Sequence, residues 1–145
     1  MTGPFSISVD STLGVEECLG LLRQKLQQQE LRIVTQIQFH REFEKSLGVC
    51  RQKYTVLVIL SPFHAYQALL CGLDGGLFLP FNVLVAEDAS STLISTTNHS
   101  FAGLSNGPIA IQVLVRELNR MMWQIFQEIV VCGSTENRAM LAGTQ

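Results

Sequence analysis

The stretch that decides the fold is Tyr54-Thr55-Val56-Leu57-Val58-Ile59-Leu60, which ends at Ser61-Pro62. It is apolar at odd and even positions alike, so it predicts a strand that is covered on both faces, in the middle of a sheet. The segment from Phe81 to Ala86 has the same two-sided pattern, and Pro80 suits its first position. A turn at 88–91 and the stretch 92–96 complete a hairpin with it. We therefore expect a sheet built around these two apolar strands.

Towards the N-terminus, strict alternation of apolar and polar residues predicts two more strands, at 5–10 and 31–39. Between them, apolar residues recur at three- and four-residue intervals and predict a helix, which Ser11 or Thr12 can cap. The apolar face of this helix is formed by Val15, Cys18, Leu19, Leu22 and Leu26. Residues 41–50 are mixed in charge and are interpreted as a connector with a brief helical turn, and residues 64–71 predict a short helix.

Towards the C-terminus, Asn106-Gly107-Pro108 places a capping residue and a first-turn proline ahead of a second long helix. Its apolar periodicity ends after Cys132-Gly133. We predict a single α+β domain at residues 1–132 and a flexible C-terminal tail at residues 133–145. The fold class is a two-layer α+β architecture with a mostly antiparallel sheet, in the order strand, helix, four strands, helix, and with two long helices on one face.

Charge and composition exclude several classes of function. The 145 residues carry ten basic and twelve acidic side chains, so there is no large positive field and we expect no nucleic-acid partner. The most apolar long stretch, 109–131, contains four charged residues and is therefore not expected to span a membrane. The start, Met1 to Phe5, lacks a basic region followed by an apolar stretch, so no secretory signal is expected and the location is predicted to be cytoplasmic. The four cysteines have no CxxC spacing and are interpreted as reduced core residues.

The chain is unusually apolar, with 47% hydrophobic and 15% charged residues. If both long helices cover one face of the sheet, the other face exposes the second side of the two apolar strands. A twofold homodimer or a small apolar ligand would cover that face.

A set of short motifs resembles a known family over roughly residues 5–130. The motifs are Leu47-Gly48-Val49, the Tyr54 strand ending in Pro62, Ala65 with Ala68-Leu69, Leu79-Pro80-Phe81-Asn82-Val83, and Val85 with Glu87. Together they resemble the domain-of-unknown-function family 302. The resemblance implies a fold like that of the TATA-box-binding-protein class, usually found as a homodimer and without an assigned reaction. It does not imply DNA binding, because function is determined by the site and not by the fold.

The chain departs from this family at two positions. Many members of the branch it most resembles carry one cysteine at the end of the Tyr54 strand and another directly after the Leu-Pro pair. This chain has Leu60 and Phe81 there. A redox or soft-metal role that depends on that cysteine pair is thus in doubt, since thiolates are the nucleophile and the ligand.

The leading functional interpretation is a non-enzymatic, dimeric binding or sensing module for a small apolar ligand or a protein partner. No catalytic residue, metal ligand or cofactor is assigned, because the sequence contains no catalytic or cofactor motif; Asp74-Gly75-Gly76, for example, is interpreted as a plain turn. The predicted ligand-binding residues form a mixed aromatic set. They are Tyr54, His64, Tyr66, Phe81 and Trp123.

The alternative interpretation is a small metal-dependent protein or enzyme that uses His40 or His64 with a nearby carboxylate. His40 is followed by Glu42 and Glu44, which can supply such a carboxylate. For His64 the sequence does not identify an acidic partner.

Overall fold

Five strands pair into one antiparallel sheet in the order β1-β5-β4-β3-β2. The computed structural model describes residues 3–100 and 107–143, with side chains as far as Ser134. The strands are β1 (Ser6–Ser11), β2 (Arg32–Gln38), β3 (Tyr54–Leu60), β4 (Phe81–Asp88) and β5 (Ser91–Thr97). The two apolar strands predicted to lie inside the sheet are β3 and β4, and each has a strand on both sides. This confirms their predicted place inside the sheet.

The described residues include four α-helices, and the two long ones cover one face of the sheet. They are α1 (Val15–Gln28), α2 (Phe39–Leu47), α3 (Pro62–Leu70) and α4 (Ile109–Gly143), with a short 3₁₀ helix at Leu73–Leu77. The long helices α1 and α4 contact each other and pack on β4 and β1, respectively. The α+β fold class with an antiparallel sheet is therefore confirmed.

The core lies between the sheet and the two long helices. The five α1 side chains predicted to form its apolar face are all buried. On α4, almost no surface is accessible to solvent at Leu118, Met122, Phe126 and Ile129. Each such side chain contributes about 1.5–3 kcal/mol relative to an exposed position. A salt bridge of 2.9 Å between Lys25 Nζ and Glu128 Oε2 joins α1 to α4 at the surface of this layer.

Local details near α1 and α2 differ from the sequence predictions. The residue that precedes α1 is Gly14, which caps it without a side chain, whereas Ser11 Oγ accepts a hydrogen bond from the Leu13 amide. The predicted Ser11 or Thr12 cap is wrong. The predicted connector at 41–50 contains most of the nine-residue helix α2, which ends where Gly48 adopts a left-handed φ of 66°.

The C-terminal helix is longer than its periodicity suggests. Its backbone is helical to Gly143, although the sequence places the end of the domain at Cys132. Because side chains beyond Ser134 are not described, the flexible tail at 133–145 stays a prediction. The proposed capping residue at position 106 lies outside the described residues.

The cysteines were expected in the core, and this holds only for Cys18. Cys18 is fully buried, and burial raises the pKa of its thiol. Cys132 is half-buried, while Cys50 and Cys71 are exposed, so the core prediction is wrong for these two.

The sheet is irregular at one of its two edges. β1 and β2 each have a partner on one side only, and the pairing of β2 with β3 shifts register between Ile33 and Thr35.

Among the described helices, none has the length and apolar character that a membrane span requires.

Candidate functional site

The second face of the sheet, which we call the open face, carries a row of side chains that crosses four strands. Val56 pairs with Leu84, Leu84 with Ser95, and Ser95 with Ser8. Because side chains alternate along each strand, the neighbouring row, which includes Leu57, points into the helix layer. The open face is therefore apolar on β3 and β4 and carries hydroxyl groups on β1 and β5.

A concave groove of ≈ 310 Å³, which we call the sheet groove, runs over part of this face. Its lining residues are uncharged: Phe5, Ser6, Phe39, Tyr54, Val56, Asn82, Leu84, Ser95, Thr96 and Thr97. The aromatic rings of Phe39 and Tyr54 stack on each other with their centres 5.3 Å apart. The start of α2 thus forms one aromatic wall of the groove.

A histidine fixes this wall. The Tyr54 amide donates a hydrogen bond of 3.0 Å to His40 Nδ1, which ties the first turn of α2 to the start of β3. The same Nδ1 lies 3.2 Å from the Tyr54 carbonyl oxygen, so in either tautomer it can bond to the backbone of Tyr54. His40 therefore holds the aromatic wall of Phe39 and Tyr54 in place, and its Nδ1 is bonded to the Tyr54 backbone.

The hydroxyl groups at the other side of the groove bond within the sheet. Ser8 Oγ and Ser95 Oγ are 2.7 Å apart, and Thr96 Oγ1 donates to the Asn82 carbonyl at 2.7 Å. The Ser95 hydroxyl, which lines the groove, keeps further acceptor capacity. The groove can therefore hold an apolar body against its aromatic wall and accept hydrogen bonds at its far side.

A separate cleft lies where the N-terminus of α3 meets α4, and His64 is its buried centre. His64 is 5% exposed, and its Nδ1 lies 2.5 Å from Ser61 Oγ. Its Nε2 lies 3.3 Å from Glu117 Oε2 on α4. Among the described residues this Nε2 makes no hydrogen bond, so the approach to Glu117 is a contact without hydrogen-bond geometry.

Ser61 and Glu117 flank the two ring nitrogens of His64. Ser61 Oγ caps α3 by accepting from the His64 amide at 3.3 Å. We assign the ring hydrogen to Nε2, because the atom that faces it at 3.3 Å is a carboxylate oxygen of Glu117, which accepts; the Ser61 hydroxyl then donates to Nδ1 at 2.5 Å. Nε2 is then a buried donor that faces Glu117.

The third histidine, His99, belongs to a polar network just after the C-terminal end of β5. Asn119 Oδ1 accepts from the His99 amide at 3.1 Å and lies 3.0 Å from its Nδ1, so Nδ1 carries the hydrogen. Asn119 Nδ2 donates to Asn98 Oδ1. Burial lowers the pKa of His99, and the hydrogen bond with Asn119 opposes this only in part. The His99 ring also meets Phe81 edge-on at 5.0 Å.

The structure distributes the five predicted ligand-binding residues over different places. Tyr54 lines the sheet groove and His64 lines the cleft. Phe81 is buried in the core, Tyr66 is exposed on α3, and Trp123 is 37% exposed on α4. Tyr54 and His64 flank opposite ends of the seven-residue strand β3, which is about 20 Å long.

The sequence prediction does not include most of the residues that line these sites, and three of them matter most here. It places Phe39 at the end of a strand, although Phe39 opens α2 and forms a groove wall. It treats Phe5 only as part of a strand. It uses Glu117 only as an argument against a membrane span, although Glu117 faces His64; a separation of 53 positions gives no signal in one sequence.

A third surface is apolar and exposed, and we call it the α3 surface. On α3 only His64 and Ala68 are buried, which leaves the opposite side of the helix to solvent. The exposed side chains of the α3 surface, with their exposed fractions, are Phe63 64%, Tyr66 60%, Leu69 43%, Leu70 65%, Leu73 91% and Leu77 84%.

Comparisons with known proteins agree with this architecture. The sequence model of a family described as "Domain of unknown function DUF302" matches residues 7–129. The chain is similar to a solved structure, the "Crystal structure of uncharacterized conserved protein DUF302 from Bacillus stearothermophilus", with 20% identity and a TM-score of 0.77. The alignment covers 85% of this chain and 96% of that one. No curated protein matches the sequence significantly.

Proposed function

Since this chain belongs to the DUF302 family, whose description names no function, we propose from its own surfaces that it is a non-enzymatic, homodimeric binding module for a small uncharged ligand. The ligand lies in the sheet groove. The observation that carries this proposal is that the ten residues lining the groove include three aromatic side chains and no charged one.

The chemistry of the groove selects the ligand class. Its volume of ≈ 310 Å³ lies at the lower end of the range of about 300–1,000 Å³ that is typical of small-molecule sites. A charged ligand would lose its hydration there without gaining an opposite charge, which is unfavourable. A flat, mainly apolar molecule with one or two hydrogen-bond donors fits the stacked wall of Phe39 and Tyr54 and the acceptors of Ser95 and Asn82.

The neutral apolar dye Nile red tests the groove by fluorescence titration. We expect Phe39→Ala to weaken dye binding by about tenfold or more, because it removes an aromatic contact surface. Leu47→Ala is the matched control, since Leu47 ends the same helix, is 69% exposed and does not line the groove. Equal dye affinity for the two variants would place the ligand site elsewhere.

The homodimer in this proposal uses the α3 surface. At roughly 200 Å² per fully exposed large side chain, its six residues present about 800 Å², which is what one partner buries in a standard interface. Exposed apolar patches on monomers are usually about 300–600 Å². Residues 61–81 contain one charged residue, Asp74, so two copies can meet without extensive like-charge repulsion. The absence of lysine and arginine from 61–81 argues against anionic lipid as the partner.

Light scattering on the purified chain tests the dimer. We expect twice the chain mass for the wild type and a single chain mass for Leu73→Arg, which alters a side chain that is 91% exposed. Leu47→Arg places the same charge on an exposed leucine outside the α3 surface and should stay dimeric. A wild type that is monomeric at about 50 μM, well above the Kd of a stable dimer, would exclude this part of the proposal.

The alternative function, a metal-dependent protein or enzyme, has weaker support. His40 bonds to the Tyr54 backbone through Nδ1, so only its Nε2 could coordinate a metal, and His64 has Glu117 as its acidic neighbour. Within the described part of the chain, no three His, Cys, Asp or Glu side chains are grouped closely enough to hold a metal ion. The test is metal analysis of protein purified without a histidine tag. Near-stoichiometric metal in the wild type that is lost in His64→Ala would favour the metal-dependent function over the binding module.

A cytoplasmic location is part of the same proposal. It is supported by the exposed free thiols of Cys50 and Cys71, which are compatible with a reducing compartment.

A further inference from the structure

We propose that the cleft around His64 is a second binding site, and that it takes an α-amino acid with an apolar side chain. The cleft has a volume of ≈ 350 Å³. It is lined by Gln29, Glu30, Ser61, Pro62, Phe63, His64, Glu117, Arg120, Met121 and Gln124. It shares no residue with the sheet groove, so the two sites can be tested separately.

The carboxylate of the ligand would bind to the donors of the cleft. His64 Nε2 is a buried donor without a hydrogen bond among the described residues, and the residue is 5% exposed. A buried donor that lacks an acceptor is unfavourable by about 1–3 kcal/mol. A ligand oxygen would supply that acceptor. Arg120 lines the same cleft, and the N-terminus of the nine-residue helix α3 adds a positive dipole end at Pro62 and Phe63.

The charge balance of the cleft also calls for a positive group on the ligand. Glu30, Glu117 and Arg120 line the cleft together with His64, so carboxylates and a guanidinium group meet at the same site. A simple anion would meet the two carboxylates, and a simple cation would meet the positive end of α3. A zwitterion complements both: its carboxylate meets His64 and Arg120, and its ammonium group meets Glu117 and Glu30.

The apolar part of the ligand would lie against Pro62, Phe63 and Met121, which provide the non-polar wall of the cleft. Methionine and aromatic side chains adapt to ligands of irregular outline. A side chain such as that of leucine has an apolar surface suited to this wall. The ligand class is therefore an amino acid with a free α-carboxylate, a free α-ammonium group and an apolar side chain.

Glu117 would control access to His64. Its carboxylate now covers Nε2 at 3.3 Å without making a hydrogen bond, and its side chain is 42% exposed. On binding, the ligand carboxylate takes over Nε2, and Glu117 pairs with the ammonium group.

Isothermal titration of the full chain with three matched probes tests the proposal. The probes are L-leucine, L-leucinamide without the carboxylate charge, and N-acetyl-L-leucine without the ammonium charge. We expect leucine to bind with a Kd below about 1 mM. Each modified probe should bind at least about tenfold more weakly, since each lacks one charge-assisted contact. Absence of binding by leucine, or equal affinity for all three probes, would overturn the proposal.

Matched arginine variants locate the binding. Arg120→Gln should weaken leucine binding at least about tenfold, because it removes the bidentate donor to the carboxylate. Arg116→Gln is the control, since Arg116 is exposed one turn earlier on α4 and does not line the cleft. Equal affinity for the two variants would overturn the assignment to this cleft. Phe39→Ala should leave leucine binding unchanged, so failure of the sheet groove proposal and failure of this one are distinguishable.

Discussion

The contact between α3 and the 3₁₀ helix gives the sharpest prediction about stability. A Cβ atom added at Gly75 would lie 2.0 Å from the carbonyl oxygen of Ala68 and 2.5 Å from its carbonyl carbon. Real Cβ contacts stay above 3.0 Å, so the 3₁₀ helix would have to move by about 1 Å against the backbone of α3. Ala68 is fully buried and cannot yield. We expect Gly75→Ala to lower the free energy of unfolding by about 2–3 kcal/mol, the upper part of the range for overpacking.

Urea unfolding followed by circular dichroism measures this effect, with Gly76→Ala as the control. A Cβ at Gly76 meets nothing within 4 Å, and neither glycine has a φ that an alanine would strain. Gly76→Ala should therefore change stability by no more than about 0.5 kcal/mol. Both variants should be measured at one protein concentration, because association contributes to apparent stability. If Gly75→Ala unfolds at the same urea concentration as Gly76→Ala, the described contact with α3 is wrong.

Three further predictions concern other parts of the molecule. Burial lowers the pKa of His99 in the folded chain below its usual value of 6.5. As the pH falls, the unfolded chain therefore binds a proton at this histidine before the folded chain does. The free energy of unfolding should then fall below about pH 6.5, by up to about 1.4 kcal/mol per pH unit. His99→Gln should remove this part of the pH dependence of urea unfolding; an unchanged pH profile would contradict it. Phe126→Ala should cost about 3–5 kcal/mol in the same assay, since Phe126 is fully buried, and a loss below about 1 kcal/mol would be inconsistent with that position. A double-mutant cycle on Lys25 and Glu128 should give a coupling of about 0.2–1 kcal/mol that shrinks in salt; a larger, salt-insensitive coupling would contradict a solvent-screened pair.

The parts of the fold that the sequence predicts well are those where one periodicity dominates. β3 is predicted with its observed bounds because its seven residues are apolar on both faces and Pro62 stops the strand. The helix α1 is predicted because its apolar residues follow a helical period. By contrast, Phe39, Phe43 and Leu47 have helical spacing in α2, but Phe39 also continues the alternation of β2, and none of the three side chains is buried in the core.

The candidate sites are less predictable because they combine distant segments. The sheet groove depends on Phe39, whose ring joins Tyr54 only because α2 folds back beside β3. His64 is selected from the sequence, but its acidic neighbour comes from α4. The aromatic set is predicted by residue type alone. Residue type does not distinguish Phe81, which is buried in the core between the sheet and the helices, from Tyr54, which lies on the open face of the sheet.

The register shift in β2 has a consequence for how copies of this chain behave at high concentration. An outer strand with evenly spaced N–H and C=O groups is a template on which a strand from another molecule can add, and repetition of that step yields fibrils. The irregularity between Ile33 and Thr35 interrupts that spacing on β2. Backbone-mediated polymerisation from this edge is therefore disfavoured, even though β3, the strand beside it, is rich in valine, leucine and isoleucine.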